Sequence, residues 1–499
     1  MTVVVGGSQR VEEGKMELAQ VQRGLLDEYL DVFLPLFGDK RTEVTFRSTI
    51  QGIIGAESLI CARIAAASPV LATNGTHGEQ RVRRMAKGES TKRSELGAED
   101  LVERLRARGI EQLRDEEEVW AVFDPSELRK PYAREMPDLM RVRKLEGEGT
   151  VPGYRTLNVL GIGRGGRRGI LYHRLFTSKE EEFLSESKEI RDAFDAVGEG
   201  LKDKKGKVTY ICDSQFDDVA VWGAVWEQGN HLVIRLKHQE RLVELVEVIE
   251  DAKAAPAQGA QAADQAANEP KPTVELPIAE LKTRAREVAR VQTEMLVRKK
   301  GQRLKKRQPV TAVVSSLPLR VRYRVDQRTR ADGEVRAKAA HLVVVRLENV
   351  ELEPWLLVTD HPVTSEQEAL KVFRMYRERW AIEDCFKFTK EVLGWEDVQL
   401  MDLKGIRTLL ALGWVAAGFL YELGVSLDWP EVRLIARLGG WNQREDRPPG
   451  KTILTRGLQQ LLNSLVVEAV LQAEIERYGQ LPPRIAAMLG RPSKPEPQL

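Results

Sequence analysis

Three carboxylates and a helix-spaced group of cations are the residues of this chain best suited to chemistry. Asp124 closes the apolar run Val119-Trp120-Ala121-Val122-Phe123, Asp213 closes Val208-Thr209-Tyr210-Ile211-Cys212, and Glu383 follows Tyr376 and Arg379 in a later polar stretch. Apolar runs of this length read as strands, and functional groups gather where the strands of a parallel or mixed sheet end. Three carboxylates brought together repel one another unless cations neutralise them, so a converged trio suits hard divalent cations such as Mg2+. Two such ions about 4 Å apart activate a water and stabilise the leaving oxygen of a phosphodiester. Singly, each Asp also fits a turn or a helix cap.

The element that must present Glu383 lies between Ser365 and Leu393, where there is no Gly or Pro. Apolar residues at Leu370, Val372, Phe373, Tyr376, Trp380 and Phe386 predict one continuous helix. At about 100° per residue, Tyr376, Arg379, Glu383 and Lys390 share an arc of roughly 60°, and Asp384 points away from it. Taken alone, this stripe also fits a solvated charged face.

A chain of 499 residues is long enough for about two to four domains. Its net charge of +2 does not by itself point to nucleic acid, but the cations are unevenly placed. They concentrate in the run 298–307 and at Arg320, Arg322, Arg324, Arg328 and Arg330, while acids crowd Asp115 to Glu118 and Glu180 to Glu182. The three cysteines, Cys61, Cys212 and Cys385, form no CxxC pair, which argues against structural zinc or a disulfide framework and fits a reducing cytoplasm. No basic segment followed by an apolar one opens the chain, so a cytoplasmic rather than a secreted protein is expected. The apolar run 409–420 is bracketed by Lys404, Arg407 and Glu422, which predicts a buried core helix rather than a span of about 20 residues, and no membrane partner.

Helices are predicted at 15–36, 45–67, 77–87 and 98–108. The third carries Arg81, Arg83, Arg84 and Lys87, with Lys92 and Arg93 beyond it, which fits either a small DNA-binding region or a helical domain with a charged surface. Strands follow at 118–124, 154–160 and 169–176, the last two joined by Gly161-Ile162-Gly163-Arg164-Gly165-Gly166-Arg167-Arg168. A dinucleotide loop needs a helix after such glycines; here a strand follows, so a basic hairpin turn is predicted. A helix at 179–198, a strand at 207–213, a helix at 217–226 and a strand at 231–237 make a mixed α/β layer, with Asp217 and Asp218 as caps of the second helix. The Ala-, Gln- and Pro-rich segment 254–272 reads as a flexible loop. Strands at 309–315, 319–325, 341–346 and 355–359, helices at 404–424 and 451–478, and a loose tail after Gly490 complete the chain.

The spacing Tyr376-x2-Arg379-x3-Glu383-x6-Lys390 resembles the Y-R-E-K signature of the insertion-sequence-four family of transposases, relatives of the bacterial transposon-five enzyme. The resemblance continues in order through Asp124-Pro125-Ser126, Ile211-Cys212-Asp213, His231 to His238 and Trp355-Leu356-Leu357-Val358-Thr359. It implies an α/β fold: an RNase H-like catalytic core with a β-rich insertion domain, flanked by helical N- and C-terminal regions. The implied division is a helical DNA-binding region at 1–110, the core at 111–240 and 351–425, a basic insertion at 241–350, and a helical C-terminal region at 426–499 suited to dimerisation.

The resemblance further implies that Asp124, Asp213 and Glu383 are catalytic ligands of two Mg2+ ions, for which Mn2+ can substitute. The expected activity is cut-and-paste transposition: nicking at the transposon end, a hairpin intermediate, hairpin opening, and strand transfer into target DNA. The implied partners are double-stranded DNA, both terminal inverted repeats and target, and a second copy of the chain in the paired complex. Tyr376, Arg379 and Lys390 would hold phosphates around a flipped base, Trp355 would stack on it, and Arg235, Lys237 and His238 would contact the DNA backbone. The family commonly has Thr two positions after its first Asp, where this chain has Ser126. Two alternatives stay open: a relative that binds DNA without cutting it, and an RNase H-like nuclease without strand transfer.

Overall fold

The computed structural model describes residues 4–73, 76–89, 97–145, 147–245, 274–297, 306–325, 334–442 and 449–488. The segment 254–272, the side chains of the run 298–307, Lys92, Arg93, Arg328, Arg330 and the tail after Gly490 lie outside the described residues.

Among the described residues the α-helices α1 (Val4–Asp31), α2 (Lys40–Ala56), α3 (Cys61–Ala66), α4 (Pro69–Ala72), α5 (Thr76–Ala86) and α6 (Ala98–Gln112) come first. The single helix expected at 45–67 is divided because Glu57 adopts a left-handed conformation with φ 46°, which ends α2. Strands β1 (Val119–Arg129), β2 (Met140–Arg143), β3 (Thr150–Gly163) and β4 (Arg168–Phe176) follow, then α7 (Glu186–Gly200), β5 (Val208–Cys212), α8 (Val219–Glu227) and β6 (His231–Arg235). Helix α7 begins later than expected, because the Ser185 side chain caps it by accepting from the Lys188 N–H. Next are β7 (Leu242–Leu245), β8 (Glu275–Pro277), α9 (Ile278–Leu281), β9 (Arg286–Val297), β10 (Lys306–Arg324), β11 (Val335–Glu348) and β12 (Trp355–Thr359). The last helices are α10 (Glu366–Glu378), α11 (Trp380–Lys387), α12 (Leu403–Ser426), α13 (Trp429–Leu438), α14 (Lys451–Tyr478) and α15 (Pro483–Met488).

The described strands form one mixed sheet. Strands β1, β3 and β4 make an antiparallel meander, β5 lies parallel to β1, and β6 lies parallel to β5. On the far side of β6, β12 pairs antiparallel to both β6 and β11, so the strands of 241–350 extend the same sheet rather than forming a detached one. Residues 309–325, expected as two strands, are one strand. Pro318 falls where β9 has stopped pairing with β10 and β7 has not begun, so its missing N–H interrupts no ladder on that edge.

Each face of the sheet carries its own apolar core. Val122, Ile211, Val233 and Leu357 face a large cluster shared with α10, α11, α12 and the N-terminal helices, while Phe123, Cys212, Ile234 and Val358 face α7 and α8. Period-two alternation assigns Asp124, Asp213 and Arg235 to the first face. The N-terminal helices belong to that core: Tyr29 donates to the Val415 carbonyl of α12 at 3.1 Å, and Arg108 pairs with Glu422. Helix α12 is long and apolar enough to cross a membrane, but 83% of its apolar window is buried inside the protein, as expected of a core helix.

Candidate active site

The register of the sheet sets the site. The parallel ladder between β1 and β5 ends at Phe123 opposite Cys212, which makes Asp124 and Asp213 the next residues on neighbouring strands. Between β5 and β6 the ladder ends at Cys212 opposite Ile234, which places Arg235 at the same level on the other side of Asp213. Asp213 ends its strand as predicted, but Asp124 does not: β1 continues through Pro125 to Arg129, held by β3. On its other edge β5 has already stopped, and an open edge tolerates a proline.

Glu383 arrives from above this row. Ser365 caps α10 in a capping box with Glu368, so the helix starts where its sequence indicates. It is not continuous to 393. Arg379 separates α10 from α11, with three-residue hydrogen bonds on either side of it, and residues Phe388–Val392 form a π-helical turn in which the Leu393 N–H reaches the Phe388 carbonyl. Neither feature carries a Gly or Pro marker. Arg379 and Glu383 still share one face, and Asp384 is exposed away from it.

Arg379 occupies the centre of the site. Its guanidinium donates to Glu383 Oε1 at 2.6 Å and lies 3.7 Å from Asp124 Oδ2 and 3.9 Å from Asp213 Oδ2. Burial works against its charge, but Tyr376 and the three carboxylates around it raise its pKa overall. Burial pushes the Asp124 carboxyl up to about 7; Arg379 opposes that shift, and Asp213 and Glu383 add to it. Among the described residues no group of three Asp, Glu, His or Cys is spaced as ready-made metal ligands. The chemistry of the donors nevertheless fits a hard cation, since three carboxylates that reach one guanidinium converge within a few ångströms of a common point.

Lys390 reaches the same strand from the π-helical turn, donating to Ser126 Oγ at 2.6 Å. Burial lowers its pKa and Arg129 adds to the effect, against the pull of Glu396, Glu127 and Asp124. Tyr376 is buried under Arg379, whose guanidinium carbon lies 5.9 Å from its ring centre, and its hydroxyl faces Arg235. Trp355 is 6% exposed, packed against Phe373, Tyr376 and Trp380 at centroid distances of 6.1, 5.4 and 5.7 Å. That is the surrounding of a core aromatic, and stacking on a base would require it to leave those rings. Lys237 and His238 are exposed beyond β6, at the edge where the row of site residues lies.

Asp217 is not the helix cap its position suggests. Only Asp218 caps α8, through the Ala220 N–H, while Asp217 is buried and accepts from the backbone N–H groups of Lys237 and His238 at 2.6 and 2.7 Å and from Arg241 at 2.7 Å. It therefore fixes the loop that carries Lys237 and His238. Also unforeseen is a polar chain across the meander: buried His173 is bonded through Nδ1 to Asn158 Oδ1 at 2.7 Å, and Asn158 donates to Thr156, whose hydroxyl reaches the Ser126 carbonyl. Asn158 stands directly opposite Asp124. Of the cations on and just after α5, Arg81 is engaged with Thr45, Arg83 with Glu79 and Lys87 with Asp402, leaving Arg84 exposed. The basic hairpin is likewise matched by the acidic run, Arg164 to Glu117 and Arg167 to Asp115. No protein-family model matches this chain, and no curated protein matches it.

Proposed function

We propose that this chain is a DNA transposase of the insertion-sequence-four kind, cutting at transposon ends and joining them to a target. The observation that carries the reading is the convergence of Asp124, Asp213 and Glu383 on one buried guanidinium, from two adjacent parallel strands and a later helix. The strand order β4-β3-β1-β5-β6, with an antiparallel meander followed by two parallel strands, supports an RNase H-like core. Extension of that sheet by β7 to β11 accords with a β-rich insertion.

In this reading Asp124, Asp213 and Glu383 would hold two Mg2+ ions, with Mn2+ as a substitute. Bound there, such ions would supply a nucleophile at neutral pH and charge stabilisation at the leaving oxygen. The chain's own residues do the positioning. Arg379 and Arg235, level with the carboxylates, bind phosphate oxygens, Arg379 with the planar fork suited to that task. Lys390 holds the strand that bears Asp124 through Ser126 and lends positive charge beside the reacting phosphate. Tyr376 supports Arg379 from below, and the clamped loop with Lys237 and His238 follows the DNA backbone beyond the row. Double-stranded transposon ends and target DNA are the proposed partners, a homodimer the proposed assembly, and the cytoplasm the proposed compartment.

The test is cleavage by the purified full chain, with Mg2+ and DNA carrying the element's own terminal repeats. Nicked, excised and joined products are expected, and Asp124→Ala, Asp213→Ala and Glu383→Gln should each abolish them. Cleavage retained in all three variants overturns the assignment; cleavage without joined products would instead establish a nuclease.

A further inference from the structure

The place a cation would take among Asp124, Asp213 and Glu383 is held by Arg379, whose guanidinium lies within 4 Å of all three. We propose that Arg379 is an internal counter-ion that competes with divalent cations for these carboxylates, so that the site loads only when the guanidinium gives way. The inference rests on the reading of the trio as cation ligands and concerns a property which that reading does not require.

Charge balance makes the competition necessary. Three carboxylates that share one guanidinium cannot all stay ionised inside a protein without positive charge among them. Arg379 supplies one positive charge, is 8% exposed and makes a hydrogen bond only to Glu383 among the three, the two aspartates being held at ion-pair distance. With all three ionised, one guanidinium does not balance them, which favours a divalent cation, yet that cation needs the oxygens the guanidinium now faces.

The geometry gives Arg379 the means to leave. It stands at the junction of α10 and α11, where its N–H and C=O take part in three-residue hydrogen bonds rather than the regular α-helical ones. Its Nε is buried with no hydrogen-bond partner, so one of its donors holds it to nothing. The Glu383 side chain is 43% exposed, which opens the trio to solvent on the side of its shortest contact. A competitor built into the site lowers the apparent affinity by the fraction of molecules in which the site is free. If the guanidinium closes it in about nine molecules of ten, the cation binds roughly tenfold more weakly than to an open trio.

The experiment titrates the DNA-free full chain with Mn2+, following free Mn2+ by its electron paramagnetic resonance signal. Only binding that disappears when Asp213→Asn is added counts as binding at this site. Arg379→Gln is expected to bind Mn2+ about tenfold or more tightly than the wild type. Arg379→Lys, which keeps the charge but lacks the fork needed to face three carboxylates, is expected to fall between them. Thermal unfolding with and without Mn2+ supplies a second readout that does not depend on catalysis, with the larger rise in Tm expected for Arg379→Gln. Equal affinity in wild type and Arg379→Gln overturns the competition while leaving the cation site standing. Weaker binding in Arg379→Gln also overturns it, showing that the guanidinium organises the carboxylates for the cation. Absence of site-dependent binding in all of these proteins overturns the cation reading itself, and the inference with it.

Discussion

Lys390 and Ser126 are joined by a 2.6 Å hydrogen bond between a π-helical turn and the strand that bears Asp124. Asp124 and Ser126 lie on the same face of β1, two residues apart. The bond therefore fastens the Glu383-bearing helix to the strand beneath it at a point beside the carboxylates. A double-mutant cycle of Ser126→Ala and Lys390→Met in urea unfolding should show a coupling of about 1.5–3 kcal/mol, the range for a hydrogen bond to a charged group. Additive effects would mean that the two side chains do not meet in solution.

Asp217 gives a second expectation. Its buried carboxylate satisfies two backbone N–H groups and Arg241 at once, so Asp217→Ala leaves the two N–H groups without their acceptor and Arg241 with only the backbone carbonyl of residue 217. A loss of about 3–5 kcal/mol in unfolding free energy is expected, the cost of breaking one side of a buried ion pair. DNA binding by the variant at a temperature where it is folded should weaken as well, because Lys237 and His238 lose their fixed placement. Unchanged stability would contradict the clamp.

The pH dependence of stability should carry a mark of His173. Burial lowers its pKa from 6.5 to about 3, with Arg407 adding to the effect, so the folded protein keeps it neutral where the unfolded chain would protonate it. The stabilisation is fully present above pH 6.5 and is lost progressively as pH falls toward 3. The margin of the wild type over His173→Gln in thermal melts should therefore shrink as pH is lowered from 7.5 to about 5. A margin that stays constant or grows on acidification would show that His173 is not held neutral.

Trp355 separates two roles that one variant would confuse. Packed against Phe373, Tyr376 and Trp380, it should cost about 3–5 kcal/mol when cut to Ala, as buried aromatics do. Trp355→Phe retains more of the packing and is the cleaner probe of base stacking. In that variant, hairpin formation should fall further than first-strand nicking, measured on the same DNA at one temperature below both melting points. Equal loss at the two steps would restrict Trp355 to the core.

The placement of the carboxylates was legible because apolar runs of five residues fix both the strand and the point at which its pairing stops. Asp213 shows this directly. Asp124 shows its limit, since the continuation of β1 to Arg129 depends on β3, a partner the local sequence does not reveal. Helix periodicity brought Arg379 and Glu383 to one face, but it could not show that Arg379 points down into the aspartates, because that depends on how α10 settles on the sheet. The break at Arg379 and the π-helical turn were invisible for a plainer reason: residues 365–393 contain no Gly or Pro, and tertiary contacts such as Lys390 with Ser126 accompany the deviation. Asp217 and Asp218 are chemically alike and adjacent, so only the position of a distant loop distinguishes the clamp from the cap.

Strand β12 pairs with β6 on one side and β11 on the other. The segment that interrupts the core is thereby bound to it along the backbone, and it is not a removable module. A shortened chain lacking 241–350 would leave Trp355–Thr359 with a bare edge of unpaired N–H and C=O groups next to the strand that carries Arg235. Such an edge recruits other chains. Trimming this protein to its other strands and helices would yield a self-associating product unless a new edge-blocking residue were supplied at β12.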